Sequence, residues 1–150
     1  MSEIFLAQSD TTAGFLSKSD TLICKIKQKN KAILLESCDL SHIKHISRIP
    51  KVLQKSIRRS KKTSFIFPNN RSFRLVCEDC NPCNLANLHH RFLRQFGSLF
   101  SSSANKTTHK FNYDFAFESA DIVIFDKRGI YEDSPSKIFK IRKNRLKKVR

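Results

Sequence analysis

Short runs rich in Ile, Leu, Val and Phe alternate along the chain with amphipathic stretches, so apolar positions recur with periods of about 2 and about 3.6 residues. Strands are predicted at residues 3–7, 31–35, 63–67, 72–77, 98–102, 121–125 and 137–141. Ser19 or Asp20 can cap a first helix on which Leu22, Ile23 and Ile26 share a face while the lysines point elsewhere. A second helix begins near Pro50, a residue tolerated in a first turn, and carries Val52, Leu53 and Ile57 at helical spacing. The strongest helical signal covers residues 82–96, where Leu85, Leu88, Phe92, Leu93 and Phe96 recur and Gly97 follows as a stop. Phe111, Tyr113, Phe115 and Phe117 alternate with period two and predict a strand, although Asp114 and Glu118 would also suit a short helix. With no linker and no repeat, this pattern predicts one α/β domain over residues 1–150, a twisted mixed β-sheet with flanking helices.

Composition adds a direction. Thirteen Phe against three Gly and four Pro describe a chain that can bury a core. Lys and Arg number 29 against 13 acids, a formal net charge of +16, which calls for a polyanionic partner, whether nucleic acid, nucleotide phosphates or an anionic membrane, and charge alone does not choose among them. The longest apolar runs are four or five residues, too short for a transmembrane helix, and the opening Met-Ser-Glu-Ile-Phe-Leu does not resemble a secretory signal. A cytoplasmic protein with no membrane partner is expected. Five cysteines, an odd number without export signals, are expected to be reduced.

Three segments carry candidate chemistry. Residues 8–15, Gln-Ser-Asp-Thr-Thr-Ala-Gly-Phe, put hydroxyls, one carboxylate and a glycine directly after an apolar strand, where open α/β sheets bind ligands; a turn with a helix cap would use the same residues. Lys25, Lys27 and Lys31 run off the first helix, and three ammonium groups at this spacing can converge on a triphosphate or form a solvated basic face. Ser101-Ser102-Ser103-Ala104-Asn105 ends a strand in neutral donors suited to phosphate or carboxylate oxygens.

Taken together and in this order, these segments resemble the YrdC-like family, which includes the TsaC-type threonylcarbamoyl-AMP synthases. Residues 8–15 look like the family's opening Pro-Thr-[Asp/Glu]-Thr-x-[Tyr/Phe]-Gly-Leu, with Ser9, Asp10 and Gly14 in register. Lys25, Lys27 and Lys31 resemble Lys-x-Arg-x-x-x-Lys, residues 64–68 and 73–76 resemble two family strands, and Ser101 to Asn105 resemble Ser-Thr-Ser-Ala-Asn. Pro135-Ser136-Lys137-Ile138 and Val149-Arg150 look like Pro-Ser-Thr-[Ile/Val] and the Leu-Arg pair. Gln8 stands for the usual proline, Lys27 for arginine, and residues 58–62, Arg-Arg-Ser-Lys-Lys, for a Trp-Pro-Gly-Pro segment.

The resemblance implies a YrdC-like fold and an enzyme that condenses L-threonine, bicarbonate and ATP, with magnesium, to threonylcarbamoyl-adenylate and pyrophosphate for the t6A modification of tRNA. It implies that Lys25, Lys27, Ser103 and Asn105 are catalytic and that Lys25, Lys27, Lys31, Ser101, Ser103, Asn105, Ser136 and Arg150 bind ATP. Ser9, Asp10, Thr11 and Arg74 would line the threonine side, with Arg74 on its carboxylate. Other enzymes of tRNA threonylcarbamoylation would be partners. The alternative is a non-catalytic module that binds double-stranded RNA or tRNA, and a third reading is a carbamoyl-adenylate domain of the hydrogenase-maturation kind.

Outside these motifs, Cys77-x-x-Cys80-x-x-Cys83, followed by His89 and His90, could supply thiolates to zinc or an iron–sulfur cluster, with Cys38 or a histidine as a fourth ligand. The preferred reading is a strand end, a turn and a helix start, with no metal. His42 and His45 are read as solvated, flanking a surface helix. Residues 142–150, with six basic side chains among nine, read either as a solvated tail or as part of a nucleic-acid surface.

Overall fold

The protein is described by a computed structural model covering residues 2–150. Among these described residues, nine strands form one sheet in the order β7-β1-β2-β6-β3-β5-β4-β8-β9. They are β1 (Phe5–Gln8), β2 (Ala13–Ser17), β3 (Leu34–Ser37), β4 (Thr63–Ile66), β5 (Ser72–Leu75), β6 (Ser98–Ser103), β7 (Ile122–Ile124), β8 (Lys137–Arg142) and β9 (Arg145–Lys148). The sheet is mixed: β1 and β7, β3 and β5, and β4 and β8 pair in parallel, the remaining neighbours antiparallel. The described residues also form four helices, α1 (Asp20–Lys27), α2 (Lys51–Arg59), α3 (Asn87–Arg94) and α4 (Tyr113–Glu118), with a 3-10 turn at Ser41–Ile43.

Side-chain alternation gives the two sheet faces different chemistry. One is apolar. Phe65 and Phe67 stack on Phe73 with ring centroids 5.4 and 4.9 Å apart, and Leu53 and Ile57 of α2 close over this cluster with Ile43. On the same face, Phe15 and Leu6 pack with Leu22 and Ile26 of α1 and Ala116 of α4. The opposite face is covered at one end only, where Leu93 of α3 packs on Leu16, Leu99 and Val76. Beyond α3 this face carries Gly14 opposite Ser103, Ser101 between Leu16 and Leu34, and Glu36 between Leu99 and Arg74.

Four sequence expectations change. The alternating aromatics at 111–117 fold as α4, because Asn112 caps it: the Asn112 Oδ1 accepts from the Phe115 N–H at 2.9 Å. The loop read over residues 8–15 turns back as β2, all of whose residues are buried. Helix α3 starts at Asn87, since Asn81 and Asn84 bond to backbone N–H groups two residues on and hold the preceding stretch in turns. The basic run near the C-terminus is strand β9, in a hairpin with β8.

Candidate functional site

The uncovered end of the polar face forms a cleft of about 350 Å³ lined by Ser9, Thr11 and Thr12, the β2 glycine, Lys29, residues 31–34 leading into β3, Glu36, Arg74, Ser101 to Ser103 and Ser136. The chain thus gathers Ser9, Thr11, Lys31, Arg74, Ser101, Ser103 and Ser136, from five separate parts of the sequence, around one hollow. Gly14 keeps the floor open. A Cβ there would lie 3.3 Å from the Ser102 carbonyl oxygen and 3.6 Å from the Ser101 Oγ.

Arg74 anchors the base. Its Nη1 donates to the Asp10 Oδ1 at 2.7 Å and to the Thr11 Oγ1 at 2.8 Å, and lies 3.5 Å from the Glu36 Oε1; its Nε donates to the Ser64 Oγ at 3.3 Å. The Ser64 hydroxyl in turn meets that of Ser136 at 3.0 Å. On the other side of Glu36, Oε2 lies 2.5 Å from Nε2 of His89, which α3 delivers. Burial works against every charge here: it would raise the Glu36 pKa, but the Arg74 cation and His89 outweigh it and hold the carboxyl below the usual range. Burial would likewise lower the Arg74 pKa, and Glu36 and Asp10 raise it. Hydrogen bonds offset the burial of such a group: the Thr11 and Ser64 hydroxyls serve Arg74, whereas the buried His89 Nδ1 has no hydrogen-bond partner among the described residues.

The Ser9 loop is held from both sides. The Ser9 Oγ donates to the Thr12 carbonyl at 2.7 Å and accepts from the backbone of Thr11 and Thr12. Arg128, paired with Asp126, donates to the carbonyls of Ser9 and Gln8 at 3.0 and 2.8 Å.

Lys27 sits elsewhere than on an open phosphate site. Its ammonium is buried and donates to the Ser103 carbonyl at 2.9 Å, to the Asn105 Oδ1 at 2.8 Å and to the Asn105 carbonyl. Burial, with Lys29 nearby, lowers its pKa to about 8. Asn105 is also committed inwardly: its Oδ1 accepts from the Ser103 hydroxyl at 2.6 Å and its Nδ2 donates to the His109 carbonyl. Lys27 and Asn105 therefore lock the end of β6 to the end of α1. Lys25 lies outside the cleft, in an adjoining groove, and Lys29 and Lys31 line both. Arg150 donates to the Ser136 carbonyl at 3.1 and 3.3 Å, joining the chain end to the cleft wall.

Sequence reading missed Glu36 and Lys29, and took His89 only as a possible metal ligand beside the cysteine run. A carboxylate ending the apolar run Ile33-Leu34-Leu35 was the available sign for Glu36; His89, 53 positions away, becomes its partner only through the placing of α3. Two groups of metal-competent side chains lie close together among the described residues: Asp10, Glu36 and His89, and Cys38, Asp39 and His42. The first already holds the Arg74 cation. Cys77, Cys80 and Cys83 are exposed and form no such group.

No family model matches the chain, and no curated protein matches it in sequence. Solved structures do match in shape. Sua5 from P. abyssi complexed with L-threonine superposes with a TM-score of 0.71 at 12% identity over 99% of this chain and 50% of that one. The chain has a Sua5-like fold. It spans about half the length of Sua5. The protein MTH1692 from Methanobacterium thermoautotrophicum gives a TM-score of 0.63 at 14% identity, covering 99% of this chain and 79% of that one. Full-length HypF in its phosphate- and nucleotide-bound form gives 0.70 at 11% identity, covering 99% of this chain and 26% of that one. No helix among the described residues is long and apolar enough to cross a membrane.

Proposed function

We propose that the chain acts as a threonylcarbamoyl-AMP synthase: the L-threonine amine and bicarbonate form a carbamate with loss of water, one carbamate oxygen attacks the α-phosphorus of ATP, and the bond from that phosphorus to the oxygen of the β-phosphate breaks to release pyrophosphate. The observation that carries this reading is the cleft itself, with a fixed guanidinium at its base, hydroxyl donors on its walls and lysines at its rim, in a fold shared with Sua5 complexed with L-threonine. No covalent nucleophile is needed. The chemistry asks for two anions held together and for cations and neutral donors around the transferring phosphorus.

In this reading Arg74, with Ser9, Asp10 and Thr11, serves the threonine side. Lys25, Lys29 and Lys31 serve the triphosphate, and Ser101, Ser103, Ser136 and Arg150 the nucleotide and carbamate. Lys27 and Asn105 act as positioning residues, because their polar atoms already hold the Ser103 end of β6. Magnesium enters with ATP as part of the substrate. The carboxylates at the cleft are engaged by Arg74 and His89, so the ion would keep phosphate and water as its ligands. The product would serve tRNA modification.

Purified protein given ATP, bicarbonate and L-threonine should release pyrophosphate only when threonine is present. Threonine-independent release, or none from a folded sample, overturns the reading. The second reading, an RNA-binding module, draws on the hairpin of β8 and β9, where Arg142, Lys143, Arg145, Lys147 and Lys148 are all exposed. Affinity for duplex RNA that falls steeply with salt, without ATP turnover, would favour it.

A further inference from the structure

At the carboxyl end of β3, away from the cleft, three donor side chains of different chemistry converge. Cys38 Sγ lies 3.7 Å from Asp39 Oδ2, His42 Nδ1 lies 3.1 Å from the same oxygen, and ligand atoms of all three residues fall within 4.8 Å of one another. A tetrahedral zinc, with bonds of about 2.3 Å to sulfur and about 2.0 Å to oxygen and nitrogen, has S···O and N···O edges of about 3.5 and about 3.3 Å. The observed spacings are within a few tenths of an ångström of those edges.

The surroundings fix each donor. Asp39 Oδ1 is taken by the backbone N–H of Ser41 at 2.7 Å and by the Ser41 hydroxyl, which leaves Oδ2 turned to the group. The Gly97 carbonyl accepts from the Cys38 backbone N–H at 3.2 Å, a bond that survives metal binding, and in the metal-free thiol form also from its Sγ at 3.3 Å. The His42 ring rests on Gly97 so closely that a Cβ there would lie 2.5 Å from Nε2, and Gly97 has a φ of 76° that suits glycine. Such outer contacts orient metal ligands in known sites. The side chains of His42 and Asp39 are 42% and 51% exposed, so an ion can enter and water can take a fourth position.

We propose that Cys38, Asp39 and His42 form a site for a zinc-class divalent ion. A thiolate and an imidazole beside one carboxylate select a borderline-soft metal over magnesium or calcium. On binding, the Cys38 S–H bond breaks, its proton passes to solvent, and sulfur, nitrogen and oxygen lone pairs form the bonds to the metal. The ion would tie the end of β3 to the 3-10 turn that carries His42.

Zinc titrated into the reduced protein against a chromophoric chelator should bind with one equivalent per chain, and cobalt in its place should give a thiolate-to-metal charge-transfer band. Cys38→Ser should abolish that band and His42→Ala should weaken zinc by at least about tenfold. A Cys77→Ala/Cys80→Ala/Cys83→Ala variant should keep both signals. Circular dichroism of each metal-free variant confirms that it is folded. Absence of stoichiometric zinc, binding unchanged in folded Cys38→Ser, or loss of binding in the folded triple variant overturns the proposal.

Discussion

The two faces of one sheet do opposite work. On the α2 side, Phe65, Phe67 and Phe73 stack and bury, and stability there comes from apolar area and close packing. One residue away on the same strands, Arg74 after Phe73 and Ser64 before Phe65 point the other way into a network of charge and hydroxyls beside an open cleft. The contrast teaches that period-two alternation divides labour: a strand can spend every second residue on folding and the others on chemistry. The polar face is nonetheless not free of structural cost, since its charges are buried.

Four substitutions sharpen or break this contrast. Phe73→Ala should have the largest effect on stability, about 3–5 kcal/mol in urea unfolding, because a ring shared by two stacks leaves a cavity the strands cannot close. Glu36→Gln should cost less, about 1.5–3 kcal/mol, by removing the anion between Arg74 and His89. Because the folded Glu36 pKa is depressed, its contribution is present above the ordinary carboxylate range and is lost as pH falls toward the folded value. The acid limb of the stability profile should therefore be shallower in the variant. An equal slope would mean that Glu36 is not the group responsible.

Lys27→Met should follow at about 1–3 kcal/mol, since it strands the Ser103 and Asn105 acceptors. In the wild type the Lys27 ammonium should titrate near pH 8 by side-chain NMR. The folded chain then sheds this proton before the unfolded chain does, so this group makes stability rise with pH between about 8 and 10.5, and Lys27→Met should remove that slope. The smallest structural change is expected for Ser101→Ala, within about 1 kcal/mol of wild type. If the cleft is the reaction site, that variant should still lose about tenfold or more in threonine-dependent pyrophosphate release. A Ser101→Ala protein with full turnover would break the division between the faces.

Much of this fold was readable from its period. Most predicted strands fall within a few residues of observed ones, because each combines β-branched or aromatic residues with flanking breakers. What escaped was set by competing chemistry. The aromatic alternation at 111–117 yields to the Asn112 cap, and β9 looked like a charge run because only Leu146 of its four residues is turned partly inward. For the site, seven of the twelve residues singled out line the cleft, since strand-end loops are local, while Asp10, Lys25, Lys27, Asn105 and Arg150 do not line it. The sequence could not tell that Lys27 points its ammonium into the backbone of residues 103 and 105, nor that α3 brings His89 onto Glu36. Both depend on how elements distant in the chain dock.

The strand β9 closes one border of the open sheet, and Arg145, Lys147 and Lys148 on it are exposed. A bare border is a template on which a second molecule could add its own strand, and a row of cations is one of the ways proteins discourage that. Mutual repulsion between these borders keeps separate molecules from zippering together. Colloidal behaviour is thus tied to ionic strength: salt or a bound polyanion that neutralises the row removes the barrier, and light scattering should rise with salt well before the protein unfolds.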